Sequence, residues 1–332
     1  MSDHSLSRRA ALFGVSALGG GLLLPSAPAR AKAPRATTQP ATYYRFDIGD
    51  MQATVVSDGP LPLGEPSASF KGITKDDVRK SLTDNFLNPD NVIIEQNVLV
   101  LNTGSRLVLF DSGMGTSKAF GPTTGRLETS LQQAGFSRDD VDDIICTHAH
   151  IDHIGGLSNA DNYRLFRNAT IHIAKADFDF WTDPAKMNGE LKTFVAHARQ
   201  NLLPYAKSHM KFVEDGKDVV PGVQAMAAPG HTVGHTVYII KSGNESMGFI
   251  GDTTHHHVLL TEKPKTEFAY DSDPKQAVET RLKVLDMIAT TRMPVLAYHF
   301  PWPGVGNLQK QSDGYRYIPT PMSLAKPATK KG

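Results

Sequence analysis

The sequence predicts an α/β protein, a sandwich of mixed β-sheets with helices packed outside them. Three observations carry that expectation. Strand-like segments come in clusters with helical segments between them, not in the regular βαβ alternation of a wound parallel sheet. Of 332 residues, 40% are hydrophobic and 21% charged, which supplies a large core and excludes wholesale disorder. There is no internal repeat of about 20–50 residues and no glycine-rich phosphate fingerprint.

Taken in order, residues 1–31 read as an address. Arg8-Arg9 precedes a moderately apolar, glycine-rich run over residues 10–24, and Ala29-Arg30-Ala31 follows. Basic, apolar, then small-x-small is the order of an export signal. The paired arginines point to the twin-arginine route and so to a periplasmic or secreted protein. The run is shorter than the roughly 20 residues of a membrane span, so no membrane insertion is expected. Residues 32–42, rich in Ala, Pro and Thr, read as a flexible linker. Apolar alternation over 43–48, 52–57, 92–101 and 106–110, bounded by Asp58-Gly59 and Asn102-Thr103-Gly104, predicts antiparallel strands. Helical spacing over 127–134 stops at Gly135. Residues 141–147 and 169–173 are short apolar strands. A helix over 190–203 lies between Gly189 and Pro204. Strands follow at 223–228, 236–240 and 247–250. An amphipathic helix covers 274–289, with Ala277, Leu282, Leu285 and Ile288 on its apolar side, and a last strand covers 295–298. No boundary appears after residue 42, so 43–325 reads as one domain and 326–332 as a tail.

Lys and Arg number 35 against 34 Asp and Glu. Without residues 1–31, 32 basic and 33 acidic residues remain, a net charge of −1. No basic face for nucleic acid or anionic lipid is expected from that balance. The single cysteine, Cys146, excludes an internal disulfide framework and a Cys-rich zinc module. Set in an apolar strand, it reads as a buried thiol.

The chemistry is concentrated in histidine and aspartate. Thr147-His148-Ala149-His150-Ile151-Asp152-His153 follows a predicted strand. Residues i and i+2 of an extended segment point the same way, so His148 and His150 can converge on one ion. Asp152 and His153 come where the chain turns toward a helix, which presents them to a second position nearby. Imidazole and carboxylate are the ligands Zn²⁺ and similar ions prefer. Further candidates stand at later strand ends: His231 in Pro229-Gly230-His231, Asp252 in Gly251-Asp252, and His299 after Tyr298. Strand ends hold such groups rigidly while the loops vary. Asp111, ending another strand, reads as a brace for the metal loop, and His235 as a residue that orders its own loop by hydrogen bonding. Of His255-His256-His257, one is expected to face the site and the others outward.

At these residues the chain resembles the metallo-β-lactamase superfamily of hydrolases and, more narrowly, the methyl parathion hydrolase family with its lactonase and aryl-esterase relatives. The likeness extends to Ala119-Phe120-Gly121-Pro122-Thr123-Thr124-Gly125-Arg126-Leu127, to Asp177-Phe178-Asp179-Phe180-Trp181, to Leu202-Leu203-Pro204-Tyr205, to Tyr298-His299-Phe300-Pro301-Trp302-Pro303-Gly304 and to Gly314-Tyr315-Arg316-Tyr317. It covers nearly all of 43–325. It implies a four-layer αβ/βα sandwich and two divalent ions, zinc first, with manganese, cobalt or iron also compatible. One ion would be held by His148, His150, His231 and Asp252, the other by Asp152, His153, Asp252 and His299, with Asp252 bridging. The resemblance also implies aromatics at the pocket mouth, matched here by Phe120, Trp181 and Phe194, and a homodimer. Phe300 and Trp302 are added as pocket candidates because they follow a ligand. His255 departs from the family's organophosphate specialist, which resembles an aliphatic residue there; lactone-cleaving relatives look like histidine.

Two cations would lower the pKa of a shared water toward about 7, and the resulting hydroxide would attack a carbonyl carbon or phosphorus, with Asp152 and Asp252 as the candidate catalytic carboxylates. The expected substrate is a neutral, hydrophobic lactone or aryl ester, with weaker phosphotriester cleavage. Phosphotriester hydrolysis as the main activity is one alternative. A di-iron flavoprotein, an iron-dependent dioxygenase, a β-lactamase, a thioesterase acting on glutathione esters and a non-catalytic scaffold are the others.

Overall fold

A computed structural model describes residues 43–323. The expected export signal (1–31), linker (32–42) and tail (326–332) lie outside the described residues. One seven-stranded sheet has the order β1 (Tyr43–Ile48), β2 (Met51–Ser57), β6 (Asn97–Asn102), β7 (Leu107–Phe110), β8 (Asp143–Ile145), β9 (Thr170–Ala174) and β10 (Met210–Val213). Its pairs are antiparallel as far as β7 and parallel from there on. The second sheet runs β11 (Asp218–Val220), β12 (Val223–Ala227), β13 (Thr236–Ser242), β14 (Glu245–Phe249), β16 (Val295–Leu296), β17 (Val305–Lys310) and β18 (Tyr315–Pro319). Only its β14–β16 pair is parallel. Both sheets are therefore mixed, as the clustered strand pattern predicts.

Alternation along the strands explains the layers. Tyr238 and Ile240 of β13 point into a core shared with Leu99 and Phe110 of the first sheet, while Val237 and Ile239 point to the other face. There they meet Val284, Leu285 and Ile288 of α7 (Pro274–Thr291). A strand buried on both faces needs a helix outside it, and α7 is that helix. Asp273 caps it by accepting from Gln276 N, and Pro274 occupies its first turn. The described helices outside the first sheet include α3 (Leu127–Gln133) and α6 (Lys192–Leu202), which bury Leu127, Leu131, Val195, Ala198 and Leu202 in the same apolar cluster as the strands of that sheet.

The segment expected as one strand over 92–101 is broken in two. β5 (Val92–Ile94) pairs instead with β3 (Leu61–Gly64), and β6 restarts at Asn97. Gln96 between them is buried, its amide donating to Gly59 O, so the chain changes sheets there. With α1 (Pro66–Ser69), β4 (Phe70–Lys71), α2 (Lys75–Asp84) and β15 (Glu267–Phe268), the β3–β5 pair encloses a separate apolar cluster of Leu61, Phe70, Leu82, Ile94 and Phe268. That cluster overhangs the ends of the sheets where the histidines gather.

Candidate metal centre

Parallel pairing puts the ends of β7 and β8 side by side, and β12, β14 and β16 also run in one direction. The segments leaving these five strands carry Asp111, the His148–His153 run, His231, Asp252 and His299. Hydrogen bonds close the seam between the sheets at this end. Thr236 N donates to Thr147 O, Tyr238 Oη to Cys146 O, and Tyr298 Oη to Asp152 O. Cys146 is buried, in keeping with the sequence reading.

His148 and His150 follow β8, and His150 is in extended backbone. His150 then becomes the residue before α4 (Ile151–Ile154), whose first turn holds Asp152 and His153. His231 Nε2 lies 3.2 Å from His148 Nε2 and 3.0 Å from His150 Nδ1. A tetrahedral ion with bonds of about 2.0–2.1 Å spaces its ligand nitrogens by about 3.3 Å, close to what these three rings adopt. On the other side, Asp152 Oδ2 is 3.5 Å from His153 Nε2 and 3.4 Å from His299 Nε2. Asp252 lies between the groups. Its Oδ1 is 3.2 Å from His153 Nε2, and its Oδ2 is 3.2 Å from His231 Nε2 and 3.3 Å from His299 Nε2. Gly251, at φ +46°, gives Asp252 this place. A Cβ there would meet His235 Nε2 at 2.8 Å.

The second nitrogen of most of these rings is already engaged. His153 Nδ1 donates to Asp111 Oδ2, His231 Nδ1 to Asp271 Oδ1, His299 Nδ1 to Glu95 O, and His148 Nδ1 to Thr147 Oγ1. Those bonds turn the opposite nitrogen, with its lone pair, inward. When these rings are neutral, lone pairs face lone pairs. His153 Nε2 and Asp252 Oδ1 are buried with no hydrogen-bond partner, a costly arrangement that a cation relieves. The residues therefore fit two divalent ions. His235 is different: Nδ1 donates to Ala228 O and Nε2 accepts from Asp252 N. With both nitrogens engaged, it orients the Asp252 loop and has none left for a metal. Burial and neighbouring His231 push it down to about 3, so it stays neutral.

Burial alone would lower His231 and His299. The carboxylates of Asp252 and Asp271 around the first, and of Asp252 and Asp152 around the second, outweigh it and raise both to about 9. In the metal-free protein, protons thus stand where the ions belong. A folded-state pKa above the ordinary 6.5 gives stability that is complete below pH 6.5 and is lost as the pH rises through about 9. Metal-free protein is expected to lose thermal stability across that interval, and metal-loaded protein to stay level, because the ions replace the protons. Thermal unfolding from pH 6 to 10, with and without chelator, checks this. A metal-free midpoint that stays level would remove the protonated pair.

The cavity above the centre is lined by Leu61, Ile94, Phe120, Phe194, Phe268 and Tyr270 around the metal-facing side chains, with His255 also in its wall. Trp181 stands behind it, edge-on to the His150 ring at 5.1 Å. Phe300 and Trp302 do not line it. Phe300 points away from its neighbour His299, into the core under α7, and Trp302 packs against the inter-sheet core. Being next to a ligand put them on the wrong face of the chain. His256 is also buried rather than outward: its Nδ1 accepts from Val258 N and Leu259 N, and its ring meets Phe70.

Sequence reasoning missed three supports. Asp177, first met only as part of a similar segment, is fully buried and accepts from Ala149 N and Gly234 N. Asp271 holds His231. Arg281, in place of the half-buried Leu282, faces inward from α7 and donates to Asp271 Oδ2 and to the carbonyls of Thr253, Pro264 and Thr266. A basic residue in an amphipathic helix normally reads as solvated, and only the buried carboxylate across from it shows otherwise.

Comparison with known proteins agrees with this centre. The model of the metallo-beta-lactamase superfamily matches residues 94–299. The structure of AidC, a dizinc quorum-quenching lactonase in complex with a product, is similar with a TM-score of 0.79 and 32% identity, over 85% of this chain and 99% of that one. The hydrolase AbOPH of the beta lactamase superfamily gives 0.80 and 33%, over 86% and 100%. An N-acyl homoserine lactonase of Bacillus cereus is 31% identical over 117 residues, 35% of this chain and 40% of the relative. By family match, fold and ligand geometry together, the chain belongs to the metallo-beta-lactamase superfamily, as a metal-dependent hydrolase.

Proposed function

We propose that the protein hydrolyses neutral, hydrophobic lactones and aryl esters with two divalent ions, zinc first, and phosphotriesters more weakly. One observation carries the reading. Two sets of inward-facing ligands share Asp252 at the base of a wall of aliphatic and aromatic side chains that contains no Lys, Arg, Ser, Thr or Cys among the described residues. A wall without a cation does not select an anionic substrate, and with no thiol or aliphatic hydroxyl, and a Tyr270 phenol that burial raises above its ordinary pKa, it offers no ready nucleophile of its own. The two ions, when bound, supply Lewis acidity to the substrate oxygen and hydroxide near neutral pH. Phe120 and Phe194 give apolar surface for an acyl chain or aryl ring. Asp152, 13% exposed against 3% for Asp252, would take the proton released by the attacking water and pass it to the leaving alkoxide. His255 Nε2 donates to Asp252 Oδ2 at 2.9 Å, and its ring stacks between Phe268 and His299. The likeness to lactonases supports the substrate class.

Zinc-loaded protein is expected to turn over acyl-homoserine lactones and dihydrocoumarin fastest, naphthyl acetate next and paraoxon slowest, with all of it lost on complete chelation. Silence across that panel, or activity that survives chelation, would overturn the reading. Oxygen uptake with one stoichiometric iron would favour the dioxygenase instead. His255→Leu removes a bulky polar ring from beside the reacting centre, where a phosphotriester needs room for three arms. The ratio of paraoxon to lactone kcat/KM is expected to rise about tenfold, worth about 1.4 kcal/mol of transition-state discrimination. An unchanged ratio would show that the ring does not set the preference.

A further inference from the structure

Different buried carboxylates brace the two metal positions most directly, although Asp111 also reaches the His148 ring through Thr147 Oγ1. Beside Asp152, His153 and His299 the brace is Asp111, which accepts from His153 Nδ1 and Thr147 N. Tyr298 Oη also fixes Asp152 O, and Ser112 N fixes His153 O. Beside His148, His150 and His231, where Asp271 holds the His231 ring, the brace on the backbone is Asp177, in the first turn of α5 (Lys175–Thr182). Its Oδ2 accepts from Ala149 N at 2.7 Å, between two of the ligands. Its Oδ1 accepts from Gly234 N at 2.7 Å, in the loop that carries the third. One carboxylate thus fastens together two ligand loops that leave different sheets. The approach is tight: a Cβ on Gly234 would meet Asp177 N at 2.6 Å and its Cβ at 2.9 Å. The same helix sets Trp181 against His150.

We propose that Asp177 is a positioning residue that sets the metal affinity of the three-histidine position separately from the other. The inference rests on the two-metal reading above. Charge-assisted bonds from both loops to one carboxylate hold the rings at ligand spacing. Loss of such support around a metal site costs about 10–100-fold in metal affinity. Asp177→Asn keeps the shape but turns an NH₂ toward one of the two N–H groups.

The test is elemental analysis of the full chain, loaded with zinc and dialysed against graded chelator. Wild type is expected to hold two ions; if it holds fewer, the two-metal reading itself fails before this one is reached. Asp177→Asn is expected to keep one ion at wild-type affinity and release the other at about 10–100-fold lower chelator strength. Asp111→Asn is expected to weaken chiefly the opposite ion, whose His153 it holds directly, so that the double variant loses both. Should Asp177→Asn not fold, Gly234→Ala, which keeps the carboxylate but pushes Asp177 away from the loop, is expected to give the same one-ion loss. Two ions at wild-type affinity in the folded variant, parallel loss of both ions, or failure of both variants to fold would each overturn the proposal.

Discussion

Asp252→Asn is expected to reduce the proposed lactone hydrolysis by more than a hundredfold while leaving most of the fold in place. The reasoning starts from its position. Its two oxygens lie within 3.2–3.3 Å of His153, His231 and His299, so it is the one carboxylate shared by both ligand groups. Loss of a group that merely supports a ligand costs about 10–100-fold; loss of the shared ligand must cost more. Asparagine keeps one oxygen and can serve one position, but its NH₂ then opposes the cation that the other position would hold. In the metal-free state the change also removes the anion that sustains the raised pKa of His231 and His299. Turnover measured beside metal content checks the prediction. A variant with two ions and near-native kcat would show that Asp252 does not bridge.

Arg281→Met is expected to destabilise the metal-free protein by about 3–5 kcal/mol. The guanidinium is fully buried and has a partner on every nitrogen: Nε bonds Thr253 O, Nη1 bonds Pro264 O and Thr266 O, and Nη2 bonds Asp271 Oδ2. Methionine fills much of the same volume, so the loss comes from stranded polar groups rather than from a void. Asp271 becomes a buried carboxylate whose remaining partner is the His231 imidazole. Chemical denaturation with chelator present measures the effect. Adding Asp271→Asn is expected to recover part of the stability, because the stranded charge is gone, but not the metal affinity, because His231 loses its anionic partner. A loss below about 1 kcal/mol would show that the carbonyls and Asp271 find water instead.

What the sequence disclosed follows from range. The strands at 43–48 and 106–110 and the helix over 274–289 carry their pattern within one turn or one pleat, and they appear in the structure within a few residues of their expected bounds. His148, His150, Asp152 and His153 are legible for a similar reason: their spacing against a strand end is itself the signal. Phe300 misled because a side chain's face alternates from residue to residue. Asp177 and Arg281 could not be read at all. Each is an ordinary residue type in an ordinary helix, and its meaning lies in partners up to 57 and 28 residues away, which no local pattern encodes.

The ligands come from two scaffolds. Asp152 and the histidines from 148 to 153 follow a strand of the first sheet, whereas His231, Asp252 and His299 follow strands of the second. An ion held by both is a rivet through the joint, available only to a chain whose halves have already docked. Its binding energy is therefore added to the cohesion of the whole molecule, by about 2.7 kcal/mol for each ion present at a hundred times its dissociation constant. Scarcity of the metal would loosen this protein as well as silence it.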